Sequence, residues 1–202
     1  EGEYKIGKGI LYIIRQDPKE YILTEKGDAK LLGIVQNLYK NVTKSDLLFK
    51  NNFHLTRGNY ELISVLDESV SDNPFILKGL FIDLFDPRLP VLTEKAVQPG
   101  NQSMLFNIKS VKDKKTPKVL ATAARVSDEK REKGSYSFIA KSPIETSNVT
   151  RILLPNKPKD CIVDNPDGSR LTAASWEWDK NSNTVLVKFE NNPDGISVRI
   201  IY

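Results

Sequence analysis

Two sets of carboxylates are spaced closely enough to share a reaction. Asp67-Glu68 follows an apolar run, and Asp83 and Asp86 bracket Leu84-Phe85 ahead of Pro87. Paired acids are the minimum equipment for cleaving a glycosidic bond, one protonating the leaving oxygen while the other attacks or activates water. Both sets also read, more simply, as solvated turn residues at strand ends, because Asp before Pro is a turn former. Other catalytic equipment is scarce. His54 and Cys161 are the only residues of their kinds, which rules out an internal disulfide framework and leaves little for a His/Cys zinc centre or a Cys-His nucleophile pair. His54, in Asn52-Phe53-His54-Leu55-Thr56-Arg57-Gly58, is expected to be a surface or hydrogen-bonded histidine on a strand entering a Gly turn. Cys161 alternates with Val163 and is expected to be a small buried hydrophobe. No phosphate-cradling loop, dinucleotide fingerprint or G-x-S-x-G elbow occurs, which excludes nucleotide chemistry. No cofactor and no metal is expected, and the chain is not expected to be catalytic by itself.

Candidate binding residues are aromatic. Trp176 and Trp178 are two apart, so on a strand they share one face and form a two-ring platform on which pyranose C–H groups stack. The competing reading makes this the inner face, since Val185, Val187 and Phe189 alternate along the next run across the Lys180–Asn183 turn. The basic stretches Lys112-Asp113-Lys114-Lys115 and Lys130-Arg131-Glu132-Lys133 are interrupted by acids and carry no interleaved aromatic, so they read as solvated loops and nucleic acid is not expected as a partner. Asn165-Pro166-Asp167-Gly168 recurs as Asn192-Pro193-Asp194-Gly195. Pro presets φ, Asp suits the next position and Gly accepts the left-handed conformation, so both are expected to be hairpin tips and not calcium loops.

These residues must be positioned by a chain of 202 residues, 28% charged, with a formal net charge of +4. That basic bias is too small to argue for nucleic acid. With 39% hydrophobic residues the composition is that of an ordinary globular protein with a core. No run of about 18 apolar residues exists to span a membrane as a helix. With Glu1 first and Met104 the only methionine, the chain reads as a processed form or a segment of something longer.

Residues 1–46 are expected to form a strand-helix segment, either the end of an upstream α/β domain or a layer packed on the β region that begins at residue 47. Gly9 to Ile14 is a continuous apolar run, the pattern of a strand buried on both faces. Leu31, Ile34, Val35 and Leu38 follow one helix face, with Asp28 as the expected N-cap. Residues 47–202 switch to short β runs at Tyr60–Leu66, Phe75–Phe85, Val119–Val126, Tyr136–Ala140, Val149–Leu154, Thr184–Phe189 and Ile196–Tyr202. Turn signals such as Asp72-Asn73-Pro74, Asp86-Pro87 and Gln98-Pro99-Gly100-Asn101 separate them. The fold class is therefore mainly β, an antiparallel β-sandwich preceded by a short strand-helix segment.

Arg57-Gly58-Asn59-Tyr60 through Leu66-Asp67-Glu68, then Leu77-Lys78-Gly79-Leu80-Phe81-Ile82-Asp83-Leu84-Phe85-Asp86-Pro87 and Pro99-Gly100, resembles the C-terminal β-sandwich of large secreted bacterial (Bacteroidetes-type) glycoside hydrolases. The closing Arg151-Ile152-Leu153-Leu154-Pro155, Lys157-Pro158-Lys159 and Trp176-Glu177-Trp178-Asp179 is similar to the ending of many such sandwiches. The resemblance covers roughly residues 55–202 and rests on structural motifs. It implies export, so a secreted, periplasmic or cell-surface location, and a polysaccharide-degrading context with the acids elsewhere, in a catalytic domain upstream in the same polypeptide. Trp176, Trp178, Tyr60 and Tyr136 are then the candidate glycan contacts. The alternative is a free-standing carbohydrate-binding or surface-adhesion protein of the same fold. Asn41-Val42-Thr43, Asn101-Gln102-Ser103 and Asn148-Val149-Thr150 fit the glycosylation acceptor pattern.

Overall fold

The computed structural model describes residues 1–68 and 70–202, which divide into two compact units, Glu1–Lys50 and Asn51–Tyr202.

In the first unit β1 (Gly2–Ile6) and β2 (Gly9–Ile13) form an antiparallel two-stranded hairpin, turning at Gly7 with φ of 58°. After β2, α1 (Pro18–Leu23) opens with Pro at its first turn and Asp17 accepting from Lys19 N at 2.8 Å, the arrangement favoured at helix starts. The longer α2 (Gly27–Thr43) begins after Lys26 and ends at Lys44, both left-handed. Asp28 is thus not the N-cap; it lies inside the first turn, where a carboxylate still faces the positive end of the helix dipole. The expectation of a strand buried on both faces is also corrected. Strand β2 has one partner, and Leu11 and Tyr12 lie at the surface. A short apolar run states what the chain prefers to bury, not that a neighbour covers it. Among the described residues of this unit Gly27 alone is buried.

In the second unit every sheet is antiparallel, with a short 3-10 turn at Ile108–Ser110. Strands β3 (Asn52–Arg57), β4 (Tyr60–Val65), β5 (Phe75–Asp83), β6 (Val91–Val97) and β7 (Gln102–Asn107) form a five-stranded sheet in the order β3-β4-β7-β5-β6. Then β8 (Lys118–Thr122), β9 (Arg125–Glu132), β10 (Ser135–Lys141), β11 (Ser147–Leu153), β12 (Asp160–Asp164), β13 (Ser175–Asp179), β14 (Thr184–Glu190) and β15 (Ile196–Ile201) form two four-stranded sheets, β13-β14-β11-β8 and β12-β15-β10-β9. These two pack face to face. Ile152, Val185, Val187 and Phe189 from one meet Tyr136, Phe138, Val198 and Ile200 from the other in a single buried cluster, the expected sandwich. The sheet containing β14 is covered on its other side too, where Leu153 and Leu186 meet Ile82 and Phe106 of the five-stranded sheet. This double cover explains why Val185-Leu186-Val187 is continuously apolar.

Two sequence expectations change here. Val119–Val126 is not one strand. It breaks after Thr122, whose Oγ1 accepts from Ala124 N at 3.2 Å, and its halves, β8 and β9, belong to opposite sheets. The two Asn-Pro-Asp-Gly turns also differ. The first closes a hairpin: Gly168 N donates to Asn165 O at 2.9 Å and Asp164 bridges Arg170. The second makes the same turn, with Gly195 N donating to Asn192 O at 3.1 Å, but joins β14 to β15 across the two sheets and is not a hairpin tip. Gly168 has φ of 85° and open space around it, whereas Gly195 has φ of 113° and a Cβ there would meet Ile139 Cγ2 at 2.6 Å. Gly168→Ala is therefore expected to cost about 1 kcal/mol and Gly195→Ala about 3 kcal/mol. Chemical denaturation of the two variants checks this ordering.

Candidate functional site

Strand β11 alternates. Asn148, Thr150 and Ile152 face the sandwich interior, and Val149 and Leu153 face the five-stranded sheet. Arg151 shares the latter side and is only 6% exposed. Its Nε and Nη2 donate to Leu89 O at 3.2 and 2.7 Å, and its Nη1 donates to Thr184 Oγ1 at 3.4 Å. Leu89 has φ of 47°, an uncommon conformation for a branched side chain, and the two-pronged bond from Arg151 holds its carbonyl. Burial lowers the Arg151 pKa, with Asp179 and Glu177 opposing. Around this guanidinium opens a cleft of about 550 Å³, whose other charged lining residues are Asp86, Arg88, Glu177, Asp179 and Lys188.

Asp86 is tied up within this cleft. Its carboxylate accepts from Arg88 Nε at 3.0 Å and Nη2 at 2.7 Å. Those bonds, with the Arg88 backbone N–H, bring its pKa down to about 2. An acid held that low is no proton donor at neutral pH. Asp83, expected as a solvated turn residue, is instead buried, with Lys95 Nζ at 2.6 Å and Phe85 N at 3.1 Å. Asp67 and Glu68 are exposed. The acid pairs weighed for catalysis thus divide into a structural ion pair, an Arg-clamped turn and a surface turn.

A second cleft, of about 580 Å³, lies where the five-stranded sheet meets β8 and β11, and its lining is mainly apolar: Leu84, Pro87, Leu89, Met104, Val119 and Tyr60 among others. Tyr60 is 39% exposed and meets Phe106 edge-on at 5.5 Å. Trp176 and Trp178 share one face, opposite Val187 and Val185, and it is the sandwich's inner face. Trp178 packs against the core, while Trp176, on edge strand β13, stays 38% exposed. Tyr136 is fully buried, donates to Glu129 Oε2 at 2.6 Å and lies under the Arg131 guanidinium. It has no ring face open to solvent, which removes it from the glycan contacts. The alternating pattern of β10 marked it apolar without showing which way it points. Asn148 is likewise fully buried and unavailable as a glycosylation acceptor in the folded chain, whereas Asn41 and Asn101 are exposed.

One polar cluster escaped the sequence reading. Buried Glu61 accepts from Thr56 Oγ1 at 2.6 Å and Asn107 Nδ2 at 3.0 Å, with His54 Nε2 at 2.9 Å. The available signal was Glu61 alternating with Ile63 and Val65 on an apolar face, an acid at a core position. His54 is hydrogen-bonded, as expected. Burial pushes the Glu61 pKa up, but the bonds from Thr56, Asn107 and His54 outweigh it and the net shift is downward. A lowered carboxylate pKa lends stability that is complete above the unfolded value and lost as pH falls through the folded one. Glu61→Gln is therefore expected to cost on the order of 1–3 kcal/mol at pH 7 and to flatten the loss of stability below about pH 4.5. Urea melts across that range check it.

Cys161 is half-buried against the core, and burial, with Asp160, pushes its thiol up to about 12. Among the described residues no group of His, Cys, Asp and Glu is placed to hold a metal ion, and no helix is long and apolar enough to cross a membrane. No family model matches the chain, and no curated protein matches it. Among solved structures it is similar to a Flavobacterium johnsoniae GH31 dextranase, in a mutant form complexed with isomaltotriose, with a TM-score of 0.27 and 12% identity over 70% of this chain. That glycoside hydrolase is much the longer protein, and this chain covers 26% of it.

Proposed function

We propose that this chain is a non-catalytic β-sandwich accessory module of a secreted polysaccharide-degrading glycoside hydrolase. It is seated against a catalytic domain upstream in the same polypeptide and contacts glycan in an auxiliary way. The observation that carries the reading is that residues 1–50 have no core of their own. Tyr4, Ile6, Leu11, Leu23, Val35 and Val42 are exposed, and Gly27 is the one buried residue described there. A segment of that size without a core needs a cover, and the reading assigns the cover to the upstream domain. The resemblance of residues 55–202 to glycoside hydrolase C-terminal sandwiches supplies the substrate class. The engaged states of Asp83 and Asp86 agree with a non-catalytic role. The test is incubation of the chain with aryl glycosides and with soluble polysaccharides. No turnover together with polysaccharide retention is expected, and measurable turnover contradicts the reading.

The second reading, a free-standing carbohydrate-binding or surface-adhesion protein, draws on the exposed ring of Trp176 and predicts the same retention. The two part on the size of the native product.

A further inference from the structure

The cleft beside Arg151 gathers four charged side chains that no direct salt bridge ties to one another. Arg151, Glu177, Asp179 and Lys188 face one space of about 550 Å³, yet none of the four is in an ion pair among the described residues. Arg151 spends its bonds on a neutral carbonyl and a hydroxyl. That leaves a nine-tenths buried cation whose direct partners are neutral, with the Asp179 and Glu177 charges acting on it across the cleft without a salt bridge. Asp179 is oriented by Asn181 N at 2.9 Å and Ser182 Oγ at 2.8 Å. The alternation of β13 aims Glu177 and Asp179 to the side opposite Trp176 and Trp178.

The lining carries three cationic residues, Arg88, Arg151 and Lys188, and three anionic ones, Asp86, Glu177 and Asp179. Such a balance gives no net pull on a phosphate or a polyanion. It does give hydrogen-bond donors and acceptors side by side, which suits vicinal hydroxyls, each of which donates and accepts. The volume is in the range of small-molecule sites, about 300–1,000 Å³. Pro90, Val91, Leu92 and Leu186 supply the apolar wall for sugar C–H groups.

We infer that this cleft, with Arg151, Glu177, Asp179 and Lys188 as its hydrogen-bonding groups, is a binding site for a neutral oligosaccharide. The inference rests on the glycan-contacting part of the function proposed above and locates it away from the Trp176 ring. The test is calorimetric titration of the whole chain with isomalto-, malto- and cello-oligosaccharides, with oligogalacturonate as the anionic control. Glu177→Ala and Lys188→Ala are chosen because both side chains are exposed at the rim, and melting curves confirm folding. The expected result is binding of a neutral probe that weakens at least about tenfold in each variant, stays within about twofold in Trp176→Ala, and leaves the melting curves unchanged. Unchanged affinity in Glu177→Ala and Lys188→Ala overturns the site while the glycan-contacting reading survives. Tighter binding of oligogalacturonate than of any neutral probe overturns the neutral class. A wild-type chain that binds no probe overturns the glycan-contacting reading and the site with it.

Discussion

Trp178→Ala is expected to lower the unfolding free energy of the sandwich by about 3 kcal/mol, while Trp176→Ala changes it by less than about 1 kcal/mol. The two indoles stand on the same face of β13, opposite Val185 and Val187. Trp178 packs against the cluster built from Val163, Val185 and Val198, whereas Trp176 stays 38% exposed at the sandwich edge. Removing Trp178 takes away apolar area and leaves a void between two sheets that cannot close on it, and both effects add. For a unit of this size the loss corresponds to a melting temperature lower by about 6–12 °C. Thermal melts of both single variants separate the roles that a double substitution would mix. Equal destabilisation by the two would contradict the placement of Trp176 at the rim.

Amide hydrogen exchange of the isolated chain is expected to show a larger contrast still. In β14 and β15, whose Val185, Val187, Val198 and Ile200 are fully buried, exchange requires near-global opening, on the order of 5–15 kcal/mol. In α2 the protecting free energy is expected to be about 0–2 kcal/mol. A 17-residue helix with Gly33 in its interior, and with Leu32, Val35, Tyr39 and Val42 exposed, has little beyond its own propensity to hold it. Under the proposed reading, joining the chain to its upstream catalytic domain raises protection in α2 without moving β14. Protection of α2 equal to that of β14 in the isolated chain would mean that residues 1–50 need no further cover.

Much of this architecture is legible in the sequence, and the failures have physical causes. Thr184–Phe189 and Tyr136–Ala140 sit almost where alternation puts them, but β6 and β7 were not expected as strands. Lys130-Arg131-Glu132, read as a solvated loop, lies in β9, because charged residues suit an exposed edge strand as well as a loop. Sheet membership did not follow. Nothing local distinguishes Asn192-Pro193-Asp194-Gly195 crossing between sheets from Asn165-Pro166-Asp167-Gly168 closing a hairpin, because the turn chemistry is identical and only the long-range partners differ. The Thr122–Ala124 corner interrupts an apolar run without a Gly or Pro. At the site, exposure was the hidden variable. The aromatics could be named, but Tyr136 proved fully buried and Tyr60 half-open. Arg151 stood in the sequence only as part of the closing motif and not as a candidate site residue, since a lone Arg in an apolar strand looks like an outward-facing charge. Its importance appears only once Leu89, Glu177 and Asp179 are brought around it from 62, 26 and 28 residues away along the chain.

The claim on which the functional account turns is that this chain is one module of a larger polysaccharide-degrading protein. It is tested most directly by the mass of the native product, detected in extracts and culture medium of the source cells with an antibody raised against the 22.8 kDa chain. The account predicts a band several times heavier. A band near 22.8 kDa would contradict it and leave the free-standing binder as the reading that survives.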